Sequence, residues 1–281
     1  MADKTTGMQV GVVSLGCSKN RVDTETLLGY LKALGFILTN KPAQADILIV
    51  NTCGFIETAK QESIDTILEM AQYKDSSHGK CALLVVTGCL SQRYKEQLKT
   101  DLPEVDLFWG VKDYTLLART IAEHAGVGAK CPMTTPRLLT TPSYSAYLRI
   151  ADGCSNRCTY CAIPLIRGPR VSVPEEELID EAKRLVDSGV KEIILIAQDT
   201  SSYGVDLYGK PMLAQLLNKI SSIEGLYWLR VLYTYPDTVT QELLDTIREN
   251  DKIVNYIDMP IQHINGELLN MMNRRGSPDN I

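Results

Sequence analysis

The chain has 281 residues, 44% of them hydrophobic and 22% charged, which excludes a disordered chain and leaves room for two ordinary domains. Its 29 basic residues against 34 acidic ones give a formal net charge of -5, so no general electrostatic pull toward nucleic acid is expected. No apolar run approaches the ~20 residues of a membrane span, and Met1-Ala2-Asp3-Lys4-Thr5-Thr6-Gly7 lacks the apolar core of a signal peptide, so a cytoplasmic location with no membrane partner is expected.

From the N-terminus, Val10-Gly11-Val12-Val13-Ser14-Leu15 predicts a short strand ending at Gly16-Cys17. Leu27, Leu28, Leu31 and Leu34 then recur at helical spacing, with Gly35 as the stop. Asp46 to Thr52 is a nearly unbroken apolar run of the kind a buried parallel strand shows, and it ends at Cys53. A helix is predicted from about Thr58 to Gln72, with Ile64, Ile67 and Leu68 on one face. Ala82 to Gly88 predicts a third strand, ending at Cys89, and Val105 to Gly110 a fourth, before a helix near Leu116 to Glu123. Strands alternating with helices imply an α/β fold. Residues 1–125 are therefore read as a doubly wound parallel-sheet domain.

Cys17, Cys53 and Cys89 each stand just past the carboxyl end of a predicted strand, at gaps of 53 − 17 = 36 and 89 − 53 = 36. Ligands of open parallel sheets bind in the crevice outside those ends. A single cysteine in such a loop is commonplace. Three in succession favour a three-thiolate site. Cys81 and Cys131 are read as structural.

Residues 126–143, with Gly126, Gly128, Pro132, Pro136 and Pro142 among threonines, read as a linker. The second domain, 144–281, opens with the predicted strand Ala146 to Ile150, which runs into Gly153-Cys154-Ser155-Asn156-Arg157-Cys158-Thr159-Tyr160-Cys161. The spacing Cys-x3-Cys-x2-Cys lets one tight loop turn three soft thiolates toward one point, which selects iron–sulfur or zinc. A closed structural zinc site needs a fourth ligand, yet no Cys or His follows Cys161 until His263. Scattered buried thiols would not explain three cysteines within eight residues.

Pro174 followed by Glu175, Glu176 and Glu177 predicts a helix with proline at its first position and acids at the positive end of its dipole, ending at Ser188-Gly189. Strand Glu192 to Ala197, a helix near Met212 to Ile220, strand Trp228 to Tyr233, a helix Gln241 to Glu249, strand Ile257 to Pro260 and a helix bearing Leu268, Leu269 and Met272 follow. Four βα units in series predict an incomplete (β/α) barrel with its working residues at the carboxyl ends of the strands. Gln198, Asp199 and Gln262 follow predicted strands and are candidates to bind a cofactor. Arg230, inside a strand, is either a carboxylate partner or a paired structural arginine. His263 is a candidate substrate contact or a helix cap.

The motif Cys154-x3-Cys158-x-Tyr160-Cys161 resembles the signature of radical S-adenosylmethionine (radical SAM) enzymes. With the N-terminal α/β half and its three separated cysteines, the chain from about Gln9 to Gly276 resembles the methylthiotransferase family. Ser14-Leu15-Gly16-Cys17-Ser18-Lys19-Asn20, Asn51-Thr52-Cys53-Gly54-Phe55-Ile56, Ile150-Ala151-Asp152-Gly153-Cys154, Leu232-Tyr233-Thr234-Tyr235-Pro236 and Asp258-Met259-Pro260-Ile261-Gln262-His263 are similar to the branch that modifies an aspartate of small-subunit ribosomal protein twelve. One departure is Ser172-Val173-Pro174, where the family pattern carries Ser-Arg-Pro. The family also ends in a small β-barrel domain that grips substrate, for which this sequence carries no counterpart.

The resemblance implies two four-iron four-sulfur clusters, one on Cys154, Cys158 and Cys161 with an open iron for SAM, the other on Cys17, Cys53 and Cys89. It implies Tyr160 near the adenine of SAM, an electron donor such as flavodoxin or ferredoxin, and a methylthio group placed on the β-carbon of the ribosomal aspartate. That carbon's hydrogen is too weakly acidic for a protein base, which calls for cofactor radical chemistry. Three other readings stand beside this one: methylthiolation of an adenosine in transfer RNA, a two-cluster electron carrier, and a non-catalytic iron–sulfur fragment. Electron carriers normally close each cluster with four cysteines, whereas each set here has three.

Overall fold

The computed structural model describes residues 7–128 and 137–274, so Cys131 and the centre of the expected linker lie outside the described residues. The chain divides into two compact units, Met1–Thr140 and Thr141–Ile281.

The first unit runs β1 (Gln9–Ser14), α1 (Ser18–Ala33), β2 (Ile37–Thr39), β3 (Ile47–Thr52), α2 (Glu57–Ala71), β4 (Leu83–Gly88), α3 (Cys89–Asp101), β5 (Leu107–Phe108) and α4 (Tyr114–His124). The strands lie in the order β2-β1-β3-β4-β5, and every pairing is parallel. β3 and β4 are buried along their whole length, which is why they read as apolar runs rather than as alternation. Ile47 and Ile49 face a core built by Leu27 and Leu31 of α1 and by Leu117 and Ile121 of α4. Leu48 and Val50 face the opposite core, with Ile67 and Met70 of α2 and Leu90 and Leu98 of α3. Helices therefore cover both faces, as the doubly wound expectation required. On α2, Leu68 is exposed and Met70 fills the inward position instead. Strand order reverses between β1 and β3, which opens a crevice at their carboxyl ends.

The second unit runs β6 (Ser145–Arg149), β7 (Ala151–Asp152), α5 (Ile163–Arg167), β8 (Val171–Ser172), α6 (Glu175–Asp187), β9 (Glu192–Ile196), α7 (Val205–Tyr208), α8 (Leu213–Ser221), β10 (Trp228–Val231), α9 (Gln241–Glu249) and α10 (Gly266–Met271). β10, β9 and β6 form a parallel three-stranded sheet, and β7 pairs antiparallel with β8. Leu178 and Ala182 of α6, Leu216 and Leu217 of α8 and Leu243 of α9 are buried at helical spacing, as are Leu148, Ile193 and Leu195 of the strands.

Two expectations are corrected. Pro174 is the N-cap of α6, in extended conformation, rather than its first helical residue, with the three glutamates in the first turn behind it. Ile257 to Pro260 does not form a strand. The fourth position of the sheet is marked instead by a single parallel bridge from Leu229 to Ile253. The carbonyl of Asp258 accepts from the amide and hydroxyl of Thr234, at 2.9 and 2.7 Å, but Pro260 has no N–H to continue a ladder. No helix among the described residues is long and apolar enough to cross a membrane.

Candidate functional site

In the first unit Cys17 is the N-cap of α1, Cys53 directly follows β3, and Cys89 opens α3 directly after β4. The parallel sheet thus places all three at one edge, around the crevice between β1 and β3. Their loops touch. A β-carbon at Gly16 would lie 2.9 Å from Cβ and 3.2 Å from Sγ of Cys53, so the chain before Cys17 presses on the Cys53 side chain, and φ of +89° there also suits glycine. A β-carbon at Gly54 would lie 2.7 Å from Cα of Leu90 and 3.1 Å from the carbonyl carbon of Cys89. Cys17 is exposed, Cys53 half-buried and Cys89 buried, so the crevice opens to solvent on the Cys17 side.

In the second unit the loop from Cys154 to Cys161 leaves the end of β7 and is fastened along its length. The Cys154 amide donates to the Gly168 carbonyl at 3.1 Å, and the Arg170 amide donates to the Ser155 hydroxyl at 3.2 Å. Asn156 donates to Asp199 at 3.0 Å. The far side of the loop is pinned to the end of α10: Asn273 donates to the Arg157 carbonyl at 2.9 Å, and the Thr159 amide donates to the Met272 carbonyl at 2.9 Å. Arg274 donates to the Tyr160 hydroxyl at 3.3 Å and to the Pro260 carbonyl, while its guanidinium lies 4.3 Å from the centre of the Tyr235 ring.

Burial pushes the thiols of Cys154 and Cys161 up, and the adjacent Cys158 adds to the shift at Cys161. Thiols so placed become good ligands only when a cation takes the proton's place. Among the described residues no three His, Cys, Asp or Glu side chains converge closely enough to hold a metal ion. The donor sets nevertheless suit iron–sulfur clusters: two sets of three soft ligands, each on loops at strand ends. Cys81, buried before β4 with its thiol 3.4 Å from the Leu83 carbonyl, packs in the core.

The remaining sequence candidates divide. Asp199 is buried, and its carboxylate accepts from Asn156, Arg170, Ser201 and Ser202. It is a post for the cysteine loop. Gln198 donates to Asp152 at 3.0 Å, while its own carbonyl oxygen is buried without a hydrogen-bond partner. Tyr160, within the loop, is half-exposed. Arg230 does not join them: it bonds Glu192, at the first residue of β9, at 2.9 Å, toward the amino end of the sheet. Gln262 is exposed with a φ of 65°. The ring of His263, also exposed, accepts from the Asn265 amide at 2.9 Å, just before α10. Val173, at the family's arginine position, accepts from the Tyr203 hydroxyl through its carbonyl at 2.9 Å.

Sequence reasoning missed Asp152, which accepts from Arg167 and Gln198 two residues before Cys154. Burial alone would raise its pKa, but the charges of Arg149 and Arg167, together with the bonds from Gln198 and Arg167, hold it below the usual carboxylate range. The available signal was a charged residue just past the predicted strand Ala146 to Ile150 and two residues before Cys154. Arg274 and Asn20 were missed as well.

Two family profiles match the chain: Uncharacterized protein family UPF0004 over residues 9–110 and Radical SAM superfamily over residues 148–281. A protein of Caldicellulosiruptor saccharolyticus named ribosomal protein uS12 methylthiotransferase RimO is 48% identical, over 98% of this chain and 64% of its own length. The protein of that name from Clostridium tetani is 50% identical, over 97% of this chain and 62% of its own. The chain therefore spans somewhat under two thirds of the relatives it matches. Among solved structures, the radical SAM methyltransferase TsrM from Kitasatospora setae, with cobalamin and a [4Fe-4S] cluster bound, aligns with a TM-score of 0.65. The match covers 97% of this chain and 65% of that one at 14% identity, and shows a shared fold.

Proposed function

We propose that the chain is a radical SAM methylthiotransferase that takes part in adding a methylthio group to the β-carbon of an aspartate in small-subunit ribosomal protein twelve. The observation that carries this reading is the pairing of two three-cysteine sets, each at strand ends in its own unit, with near-50% identity to proteins of that activity. Cys154, Cys158 and Cys161 would hold one four-iron four-sulfur cluster and Cys17, Cys53 and Cys89 the other. Bound there, the clusters and SAM supply the one-electron chemistry and the sulfur transfer that a weakly acidic carbon requires.

The chain's own residues have defined tasks in this scheme. Asp199 and the end of α10 hold the Cys154 loop from two sides, so that three thiolates keep their mutual spacing. Asp152, kept ionised by Arg149 and Arg167, orients Gln198, whose free buried carbonyl oxygen is left to accept a bond from the bound cofactor. Tyr160 belongs to the same loop and is bonded by Arg274. A small flavodoxin- or ferredoxin-type donor would deliver the electrons, in the cytoplasm.

The test is an anaerobically reconstituted protein given SAM, a reductant and either the ribosomal protein or transfer RNA. The expected outcome is SAM cleavage that disappears in Cys154→Ala, with a methylthio group gained by the ribosomal protein and none by transfer RNA. Unchanged cleavage in that variant, or modification of the RNA alone, would sink the reading.

A further inference from the structure

We propose that Asn20 is the positioning residue of the Cys17, Cys53 and Cys89 site, a single side chain that ties the Cys17 and Cys53 loops together against Cys89. The proposal rests on the reading that these cysteines hold a cluster.

Asn20 lies in the first turn of α1, three residues past Cys17, and is fully buried. Its side-chain amide donates both protons to the backbone. One goes to the Leu15 carbonyl at 3.1 Å, two residues before Cys17, and the other to the Thr52 carbonyl at 2.9 Å, next to Cys53. Its amide oxygen faces the third loop and accepts from the Cys89 thiol at 3.5 Å. The Asn20 carbonyl is gripped in turn by the Asn51 amide at 2.8 Å, which also donates to the Thr24 hydroxyl at 2.8 Å. Thr24 then donates to the Ser14 hydroxyl at 2.8 Å. One side chain therefore reaches each of the three loops, and a chain of bonds from β1 through α1 to β3 fixes it.

The chemistry requires an amide at this position. An aspartate of the same size has no proton to give and would set a carboxylate against two carbonyl oxygens. A leucine would strand both carbonyls without a donor. Elements two bonds from a metal tune its affinity by holding its ligands in place, typically 10–100-fold per residue. Asn20 holds the backbone of the Cys17 and Cys53 loops and faces the Cys89 sulfur, which gives up its S–H bond to Asn20 once it is a thiolate ligand. The general alternative is that it serves only the stability of the unit.

The two can be separated in a Cys154→Ala, Cys158→Ala, Cys161→Ala background, which leaves the first-unit cysteines alone. Reconstituted parent, Asn20→Asp, Asn20→Ala and Leu27→Ala proteins would be compared by iron content, by the rate of iron loss to a chelator and by the spectrum of the reduced cluster. Leu27→Ala removes core packing from the same helix and leaves the hydrogen bonds of Asn20 in place. Both Asn20 variants are expected to lose iron at least ~10-fold faster than the parent, with an altered spectrum, while Leu27→Ala keeps the parent's spectrum despite a lower melting temperature. Asn20 variants that keep the parent's rate and spectrum would overturn the proposal and leave the cluster reading standing. So would iron loss that merely follows melting temperature across all three variants. A parent that binds no iron would end both.

Discussion

Asp199 and Asp152 are two carboxylates at adjacent strand ends, and their surroundings give them different work. Asp199 is buried among hydroxyls, an amide and the Arg170 guanidinium, and through Asn156 it fixes the Cys154 loop. Asp152 stands closer to a field than to a scaffold. Burial raises its pKa, the charges of Arg149 and Arg167 and the bonds from Gln198 and Arg167 lower it, and the lowering wins. Its folded pKa therefore lies under the unfolded value of about 3.9. The stability it contributes is fully present above that value and is lost as pH falls through the folded pKa. Urea unfolding should thus show the native protein losing stability more steeply than Asp152→Asn below about pH 4. At pH 7 the variant should be weaker by on the order of 3 kcal/mol, because Arg167 loses the carboxylate it faces. Parallel pH curves would mean that Asp152 is not ionised against those arginines. At this scale the six cysteines could be named as candidate ligands because ligand chemistry depends on residue type and spacing. The partners that hold them were not: Asn156 and Asp199 are 43 residues apart, and Asn273 and Arg157 are 116 apart, and no local pattern records such a pairing.

Helix α10 shows the same division among elements. Its apolar residues made it visible as a helix, yet nothing in its period reveals that its last turn is the wall behind the Cys154 loop. Asn265 caps it, the side chain accepting from the Leu268 amide at 3.1 Å, and the Met272 carbonyl at its other end receives the Thr159 amide. Removing the cap with Asn265→Ala should cost about 1 kcal/mol of local helix stability. Fraying of so short a helix reaches its far end, so hydrogen exchange should quicken at the Thr159 amide as well as in α10. Exchange that quickens in α10 alone would disconnect the helix from the loop. Helices and buried strands were read well because their periods extend over many residues. β2, β7 and β8, at two or three residues each, are too short to show a period, and they exist because neighbouring backbone offers them partners. The missing strand at Ile257 to Pro260 is the converse case. Its composition suited a strand, and Pro260 deprived it of a ladder.

Over the whole molecule, each unit has its own buried core and its own set of three cysteines. The two sets should therefore load with iron independently, since losing ligands in one unit leaves the packing of the other intact. Anaerobic reconstitution of the intact chain should give about eight irons and eight sulfides, with about four of each in Cys154→Ala and about four in Cys17→Ala. A Cys17→Ala, Cys154→Ala double variant should hold almost none. This pattern separates the readings that the sequence left open. An electron carrier would load both clusters but leave SAM intact when reduced, whereas the proposed enzyme would cleave it at the cluster assigned to Cys154. If Cys17→Ala keeps all the iron of the parent, the first-unit cysteines are ordinary loop thiols, and only the cluster of the second unit survives. If Cys154→Ala instead loses all eight, the first site depends on the second. The two units would then have to be treated as one centre.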